Sequence, residues 1–195
     1  MSMDAEPSDH ELMRRCAQGE DAPFAELVRR HQQPIVDYLS RLLGRSGRAE
    51  DLGQEVFLRV YRHRASYSEK AAFSTWCFTI ATNLARDERR TLRRRPPNAG
   101  MDALEFHPDA AETPAAAAQR EERRRQVHLA LEQLSQPFRE ALVLRDLQGL
   151  SYDDISGILG MELGTVKSRI NRARLAFRDA FVALGGTAGT EEDAA

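Results

Sequence analysis

The fold of this chain is decided by residues 150–178, which read LSYDDISGILGMELGTVKSRINRARLAFR. Ser151 is a good N-cap residue, and Asp154 follows three positions later, close to the pattern of a capping box. Gly160 is placed to end this first helix. After a short turn, Thr165 is expected to cap a second helix. The stretch therefore predicts two helices joined by a tight turn.

The second of these helices has two distinct sides. Apolar residues at helical spacing predict one buried stripe, formed by Val166, Ile170, Ala173 and Phe177. A polar stripe beside it is formed by Lys167, Asn171, Arg174 and Arg178, with Ser168 and Arg172 roughly opposite the core. Between Thr165 and Arg178 five residues are basic and none is acidic. A solvated surface helix usually mixes charges, so this pattern favours DNA binding by a helix-turn-helix, although a charge run alone is also compatible with a plain solvated face.

The charge of the whole chain is segregated along its length. At 195 residues the chain has room for one or two domains, and its 42% hydrophobic and 30% charged residues are typical of a soluble globular protein. The net charge of −2 conceals acidic ends and two basic segments. Residues 1–26 hold seven acidic and two basic residues, whereas residues 86–95 hold six arginines against two acidic residues. Arginine suits bidentate contacts with phosphate and guanine, but an Arg-rich, Ala-rich composition equally fits codon bias.

Several classes of function lack support in the sequence. Cys16 and Cys77 have no partners at zinc-ligand spacing and are interpreted as small buried residues, so no metal site is expected. No catalytic residue, cofactor or small-molecule substrate is predicted. The acidic, polar N-terminus is not that of a signal peptide, and no apolar run approaches the ~20 residues of a membrane span. A cytoplasmic protein without membrane insertion is expected.

No strand pattern occurs in the chain, and the expected fold class is all-α with two small helical domains. The first is predicted over residues 8–95, beginning with a capping box of Ser8 and Glu11 and ending at Pro96-Pro97. Residues 96–119 are predicted to form a flexible acidic linker, because they are rich in Pro and Ala and hold four acidic residues but no Lys or Arg. The second domain is predicted over residues 120–186. A leader before Ser8 and an acidic tail after residue 186 complete the expected organisation.

Two helices of the first domain carry its distinctive patterns. The helix predicted from Arg48 to Arg64 has a core stripe, formed by Leu52, Val56, Phe57 and Val60. Periodicity alone favours ordinary solvation for its polar residues, Asp51, Gln54 and Glu55. The helix predicted from Phe73 to Arg95 combines aromatic and basic residues, a combination that can stack exposed bases. Trp76 is nevertheless more simply explained as part of the core.

Three segments together resemble a known family. AEDLGQEVFLRVYRH (49–63) and FSTWCFTIATNLARDERR (73–90) are similar to region 2 of bacterial sigma factors, and residues 150–178 are similar to region 4. Both regions in this order, with a short linker and no third folded domain, resemble a sigma factor of the extracytoplasmic-function (ECF) type. Gly53 and Cys77 stand where that family favours other residues, which leaves open a redox role for Cys77.

The resemblance implies a function in transcription initiation. A sigma factor carries RNA polymerase core enzyme to a promoter and helps to open the DNA. The residues implied in binding the core enzyme are Asp51, Gln54, Glu55 and Phe57, which replaces the solvation interpretation of the first three. An anti-sigma factor is a further partner that the resemblance implies.

The DNA-contacting residues implied by the resemblance fall in both domains. Asn83 and the loop from Ser66 to Lys70, with Ser66, Tyr67 and Ser68, would capture a base flipped from the melted −10 strand. The nearby DNA backbone would be held by Arg86, Arg89 and Arg90. Bases of the double-stranded −35 element would be contacted by Lys167, Ser168, Asn171 and Arg172. Arg169 and Arg174 would contact phosphates.

Two alternatives from other functional classes fit the sequence less well. A stand-alone helix-turn-helix regulator would dimerise and never contact polymerase, but a dimerisation or ligand-binding domain would not need the pattern of residues 48–95. An enzyme is disfavoured because the sequence has no HExxH, GxGxxG, P-loop or nucleophile-elbow motif, and its five histidines are scattered.

Overall fold

The first half of the chain folds into four helices. The structure, a computed structural model, describes residues 6–44, 47–94 and 114–186, and all the regular elements in these ranges are helical, as predicted. The helices of this half are α1 (Asp9–Ala17), α2 (Ala22–Leu43), α3 (Ala49–Arg62) and α4 (Phe73–Arg94). A short 3-10 turn, Arg64–Ser66, follows α3. We refer to α1–α4 as domain one.

The second half also consists of four helices, which we refer to as domain two. They are α5 (Pro114–Gln133), α6 (Gln136–Leu142), α7 (Tyr152–Leu159) and α8 (Leu163–Ala183). One π-helical turn, Val143–Leu147, continues directly from α6. The last six residues of the predicted linker, 114–119, already belong to α5. The predicted leader up to residue 5, linker residues 95–113 and the acidic tail from residue 187 lie outside the described residues.

Local capping explains where several helices begin and end. The Ser8 hydroxyl accepts the backbone N–H of Glu11 at the start of α1, as predicted. At the start of α7 the Ser151 hydroxyl accepts the N–H of Asp154 at 3.1 Å. Gly160 ends α7 in the left-handed conformation, at φ 65°, which glycine adopts without steric cost.

The predicted start of α8 is wrong by three residues. Thr165 was expected to cap this helix, but α8 begins at Leu163 with Glu162 in the cap position. The backbone N–H of Thr165 already donates to the Glu162 carbonyl at 2.9 Å, so Thr165 lies within the first turn. After Gly160 the chain therefore enters α8 earlier than a cap by the Thr165 hydroxyl would allow.

A close approach between α2 and α3 explains a glycine that the helix would otherwise disfavour. Gly53 is buried in the middle of α3. A Cβ placed there would lie 2.8 Å from Cγ2 of Val36 on α2, closer than two carbon atoms pack. Glycine at position 53 therefore lowers the helix propensity of α3 but allows the two helices to pack closely.

The core of domain one is apolar with one buried polar pair. The fully buried side chains include Leu27, Tyr38 and Phe73, and the Tyr38 hydroxyl lies 2.8 Å from the Thr82 hydroxyl oxygen. Cys16 and Cys77 are buried, so the prediction that both belong to the core is confirmed. Trp76, by contrast, is only half-buried.

The two domains pack against each other. Helix α7 lies along α4, and α5 and α6 contact α2. Most buried apolar side chains of the two domains form one connected core, and a second, smaller cluster in domain two consists of Ala130, Ala180 and Phe181. Helix α6 lies between the domains, and six consecutive residues starting at Arg139 are buried, including Arg139 itself at 4% exposure and Glu140 at 1%. No helix in the described ranges has the length and hydrophobicity of a membrane span.

Candidate nucleic-acid interface

Helix α8 presents its basic side to solvent. Val166, Ile170 and Ala173 are buried, which confirms most of the predicted core stripe. The predicted base-contacting residues Lys167, Asn171 and Arg172 are exposed, whereas Ser168 and Arg169 are half-buried. The Ser168 hydroxyl donates to the Thr165 carbonyl at 3.0 Å. Lys167, Asn171 and Arg172 thus lie on the solvent-exposed part of one helix.

Helix α7 contributes an aromatic residue to this surface that the sequence did not single out. The Tyr152 ring lies 4.6 Å from the guanidinium carbon of Arg145 and 5.8 Å from Nζ of Lys167. Cations near the face of an aromatic ring are attracted by its quadrupole. Tyr152 therefore holds two cations beside each other, one of them on α8. In the sequence, the only signal for this contact is the position of Tyr152 directly after the N-cap residue Ser151.

A small concavity lies beside the first turns of α8. It has a volume of about 210 Å³ and lies between the start of α6 and α8. Its lining residues are Ser135, Pro137, Phe138, Thr165, Ser168, Arg169 and Arg172. The concavity combines two arginines and hydroxyl groups with one aromatic ring. This combination suits a sugar-phosphate backbone or a base edge.

Arg174, predicted to contact a phosphate, already has a partner in the chain. Its Nε donates to Oδ2 of Asp146 at 2.8 Å, and its Nη2 donates to the other carboxylate oxygen. This hydrogen bonding raises the pKa of Arg174 above its usual value. Asp146 therefore either competes with DNA for the Arg174 side chain or holds that side chain in position for a contact with DNA.

The loop predicted to help capture a −10 base is anchored to α1. The Tyr67 phenol oxygen forms a hydrogen bond of 2.6 Å with Nδ1 of His10, and burial raises the pKa of Tyr67 to about 12. Its ring packs against Phe73 and Trp76 of α4. Ser68 is exposed, as is Ser66, whose hydroxyl donates to the carbonyl of the residue three positions earlier. Tyr67 is thus held in place while its serine neighbours stay accessible.

The predicted −10 residues of α4 differ in their surroundings. Asn83 is exposed. Arg86 donates to Glu140 of domain two, with Nη2 2.7 Å from Oε2. Nη1 of Arg89 donates to the Leu42 carbonyl at 2.9 Å, and Arg90 pairs with Asp87 on the same helix. All three arginines therefore have partners within the chain.

Two of the predicted polymerase-binding residues, Gln54 and Phe57, line a groove between α2 and α3. The groove has a volume of about 580 Å³, and its lining includes Phe24 and Val28 of α2 and Gln54, Phe57 and Leu58 of α3. Leu58 is 50% exposed, and periodicity had not singled it out. The structure thus combines an apolar groove with polar residues of α3 at its edge.

The remaining predicted residues of α3, Asp51 and Glu55, are not among the residues that line the groove. Asp51 is exposed and lies 3.6 Å from the guanidinium of Arg48. Glu55 is half-buried and accepts a hydrogen bond from Arg59 at 2.8 Å.

Within the described ranges, no group of three or more His, Cys, Asp or Glu residues is placed to hold a metal ion.

Comparison with known proteins matches both domains. The family model described as Sigma-70 region 2 matches residues 27–95, and the model described as Sigma-70, region 4 matches residues 124–177. These matches cover α2 from Leu27 onward, α3, α4 and most of domain two. They therefore include the surfaces just described on both domains.

Solved structures with a similar fold include two protein complexes. CnrH, in complex with the cytosolic domain of CnrY, is similar with a TM-score of 0.67 and 22% identity, over 91% of this chain and 99% of CnrH. The sigma factor RpoE of Bartonella quintana, in complex with the anti-sigma factor NepR, has a TM-score of 0.67 and 24% identity, over 82% of this chain and 96% of RpoE. These likenesses show the fold.

Curated relatives extend the similarity to nearly the whole chain. The RNA polymerase sigma-H factor of Pseudomonas aeruginosa is 36% identical over 183 residues, which are 90% of this chain and 95% of that protein. The ECF RNA polymerase sigma-E factor of Escherichia coli K12 is 36% identical over 179 residues, 88% of this chain and 93% of that protein. The chain therefore belongs to the extracytoplasmic-function (ECF) family of RNA polymerase sigma factors.

Proposed function

We propose that this chain binds RNA polymerase core enzyme and directs transcription initiation at promoters that carry a −10 and a −35 element. The observation that carries the proposal is the exposed side of α8, which has five basic residues and no acidic one from Thr165 to Arg178, in a chain that also matches sigma region 2 over residues 27–95. A DNA-contacting helix and a polymerase-binding domain are both needed for a factor that brings the enzyme to a promoter.

The −35 element is assigned to α8. Its exposed side carries two basic side chains and one amide, those of Lys167, Arg172 and Asn171. Such groups form hydrogen bonds with base edges in the major groove. Ser168 lies among them and can contact a base or a phosphate. Arg169 borders the concavity beside α8 and is assigned to the DNA backbone, together with Arg174 after it exchanges Asp146 for a phosphate.

The −10 element is assigned to domain one. Asn83 is exposed and offers both a donor and an acceptor, which suits recognition of the edge of an unpaired base. The loop with Ser66, Tyr67 and Ser68 would form the rest of that pocket. The neighbouring phosphates are assigned to Arg86, Arg89 and Arg90.

The core enzyme is assigned to the groove between α2 and α3. Asp51, Gln54 and Glu55 supply polar contacts on the α3 side, while Phe57 forms part of the groove wall. An apolar groove with a polar rim has the composition of a protein-binding surface. The chain acts without catalysis of its own and in the cytoplasm, where the polymerase and the DNA are.

An anti-sigma factor is proposed as a regulatory partner. RpoE of Bartonella quintana, which shares this fold, is described in complex with the anti-sigma factor NepR. A protein that covers either the groove or α8 would prevent initiation.

Transcription with purified components tests the proposal. Core polymerase, genomic DNA of the source organism and the full chain are mixed, and the 5′ ends of the transcripts are sequenced. We expect start sites that depend on the chain and share two upstream elements. If no such transcripts form and the chain does not co-elute with the core enzyme, the proposal is wrong, and a stand-alone regulator becomes the better explanation.

A further inference from the structure

The segment between the 3-10 turn and α4 contains part of the loop proposed to meet a −10 base. Residues 67–72 connect these two elements and belong to no helix. Ser68 and the four residues that follow it are exposed, whereas Tyr67 is half-buried. The position of the loop therefore depends on the contacts that hold the Tyr67 side chain.

The Tyr67 side chain lies between α1 and α4. The centroid of its ring is 5.8 Å from that of His10 on α1 and 5.3 Å from that of Trp76 on α4. Its hydroxyl oxygen lies 2.6 Å from Nδ1 of His10 and 3.4 Å from the carbonyl oxygen of Ala71. His10 therefore supports one side of the ring and, through the hydroxyl, connects α1 to the far end of the loop.

A second contact joins α1 to the start of the same segment. Nε of Arg64, in the 3-10 turn, donates to the Cys16 carbonyl at 3.3 Å. Cys16 lies in the last turn of α1, six residues and about 9 Å along the helix from His10. Helix α1 therefore contacts this segment at two points, the turn that leads into the loop and the Tyr67 side chain.

The beginning of α1 is itself fixed to α2. Nη1 of Arg30 donates to Oδ1 of Asp9 at 3.2 Å, and Nε2 of His31 lies 2.6 Å from Oδ2. Both oxygens of the Asp9 carboxylate are thus bound by side chains of α2. Because Asp9 directly precedes His10, these contacts fix the backbone from which His10 reaches Tyr67.

We infer that α1 helps to determine which base the −10 pocket accepts, with His10 as the positioning residue that holds Tyr67 and, through it, the loop. The inference rests on the proposed function and deepens it, because it adds a helix that lies before the residues matched by the region 2 model, 27–95. Ser66 and Ser68 are the exposed neighbours of Tyr67, so a displacement of Tyr67 also moves their hydroxyls.

Such a displacement should affect the choice of base more than the amount of initiation. Hydrogen bonds weaken steeply when donor and acceptor are misaligned, so discrimination between base edges requires a loop held in one position. A loop that moves more freely can still contact DNA, but it distinguishes the bases less well. Loss of the His10 contact should therefore reduce base preference at the −10 element.

Transcription from single-base variants of one promoter tests the inference. The promoter is taken from a start site mapped as above, and each template changes one base of the −10 or the −35 element. With core polymerase and the full chain, His10→Ala is expected to reduce discrimination at one −10 position about fivefold, the size expected for loss of one hydrogen bond. Discrimination at the −35 element should stay unchanged, because α8 belongs to the other domain.

Further variants show whether His10 acts through the Tyr67 hydroxyl. His10→Asn places an amide close to the position of Nδ1 and should keep most of the preference. Tyr67→Phe removes the hydroxyl, so the addition of His10→Ala to it should have little further effect. His63→Ala, which changes an exposed histidine just before the 3-10 turn, is the matched control. Circular dichroism and co-elution with core polymerase verify that each variant is folded and binds the enzyme.

The inference is overturned if His10→Ala keeps the wild-type base preference, or if transcription falls equally from every template, which would indicate a general effect on folding. It is also overturned if His10→Asn loses as much preference as His10→Ala, or if the losses in His10→Ala and Tyr67→Phe are additive. Failure of the wild-type chain to produce any transcript would instead refute the proposed function.

Discussion

Asp146 holds Arg174 by two hydrogen bonds that connect the π-helical turn after α6 to the exposed side of α8. The two residues are 28 positions apart in the chain, so only the tertiary fold brings them together. The pair is about half exposed, and an ion pair of this kind contributes little to stability. Its effect is to fix the guanidinium at the edge of the surface proposed to contact the −35 element.

The variant Asp146→Asn is expected to strengthen DNA binding without changing sequence preference. Release of Arg174 would allow one more phosphate contact, which steepens the dependence of log K on log salt by about 0.9. Titration of duplex −35 DNA with the polymerase complex at several salt concentrations measures this slope. Asp153→Asn is the matched control. An unchanged slope would mean that Arg174 does not reach a phosphate even when it is free.

The variant Arg172→Ala should relax the base preference at one position of the −35 element. Arg172 is exposed on α8, and loss of a base contact typically costs about 1–3 kcal/mol. Affinities for a set of duplexes that each carry one base change measure the effect. Arg178→Ala, which changes an exposed arginine six residues farther along α8, serves as the comparison. If Arg172→Ala weakens binding to every duplex equally, Arg172 contacts a phosphate.

Two Gly→Ala variants are predicted to have opposite effects on stability. Gly157 in α7 has open space around its Cα, so Gly157→Ala should stabilise the fold by about 0.5–1 kcal/mol through helix propensity. Gly53→Ala brings a Cβ to 2.8 Å from Val36 and should destabilise, since overpacking typically costs about 1–3 kcal/mol. Urea unfolding gives both values.

The double variant Gly53→Ala/Val36→Ala separates the effect of helix propensity at position 53 from the cost of the clash between α3 and α2. Removal of the Val36 methyl groups should recover part of the loss, because the clash involves Cγ2. Stabilisation by Gly53→Ala alone would show that α2 and α3 can move apart at little cost.

Cys16 and Cys77 should resist thiol reagents in the folded protein. Both are buried, and burial raises the pKa of each thiol, so little thiolate is present at neutral pH. With Ellman's reagent we expect almost no reaction in buffer and two reacting thiols per chain in denaturant. Rapid labelling of Cys77 in the native protein would reopen a redox role for it.

Stability should fall as the pH decreases below about 6.5, in part because of His128. Burial is the main cause that lowers the pKa of His128, so the folded state disfavours its protonation. Below 6.5 the unfolded chain takes up the proton more readily, and the stability that the neutral imidazole provides is lost as the pH falls toward the lower, folded-state pKa. Glu132 and the cations of Arg139 and Arg41 surround this group.

Urea unfolding between pH 5 and pH 8 measures this dependence. The variant His128→Gln should flatten the curve, whereas His63→Gln, which changes an exposed histidine, should leave it unaltered. Equal curves for the wild type and His128→Gln would show that other groups cause the acid sensitivity.

The elements that sequence predicts well are those determined by neighbouring residues. Ser8 and Ser151 cap helices through amides three positions away, and the buried stripe of α8 follows from helical spacing. The exposure of Lys167 and Arg172 follows from the same spacing. The predicted cap at Thr165 was wrong because α8 begins earlier, with Glu162 in the cap position.

The contacts between distant parts of the chain could not be predicted in this way. Arg139 and Glu140 are charged residues on a helix whose apolar pattern was recognised, but their partners lie 97 and 54 positions away. No periodicity specifies how two domains meet. One available signal is the continuous apolar run 141–144 after them, since a helix without a polar side is usually buried on all sides.

The two lysines of this chain have a practical consequence. Lys70 lies in the loop proposed to contact the −10 element and Lys167 lies on α8, and both side chains are exposed. An amine-reactive label therefore modifies one side chain in each domain, beside each proposed DNA contact. Protection of one amine or both in a single mass spectrum would reveal which half of a promoter the protein occupies, without any substitution.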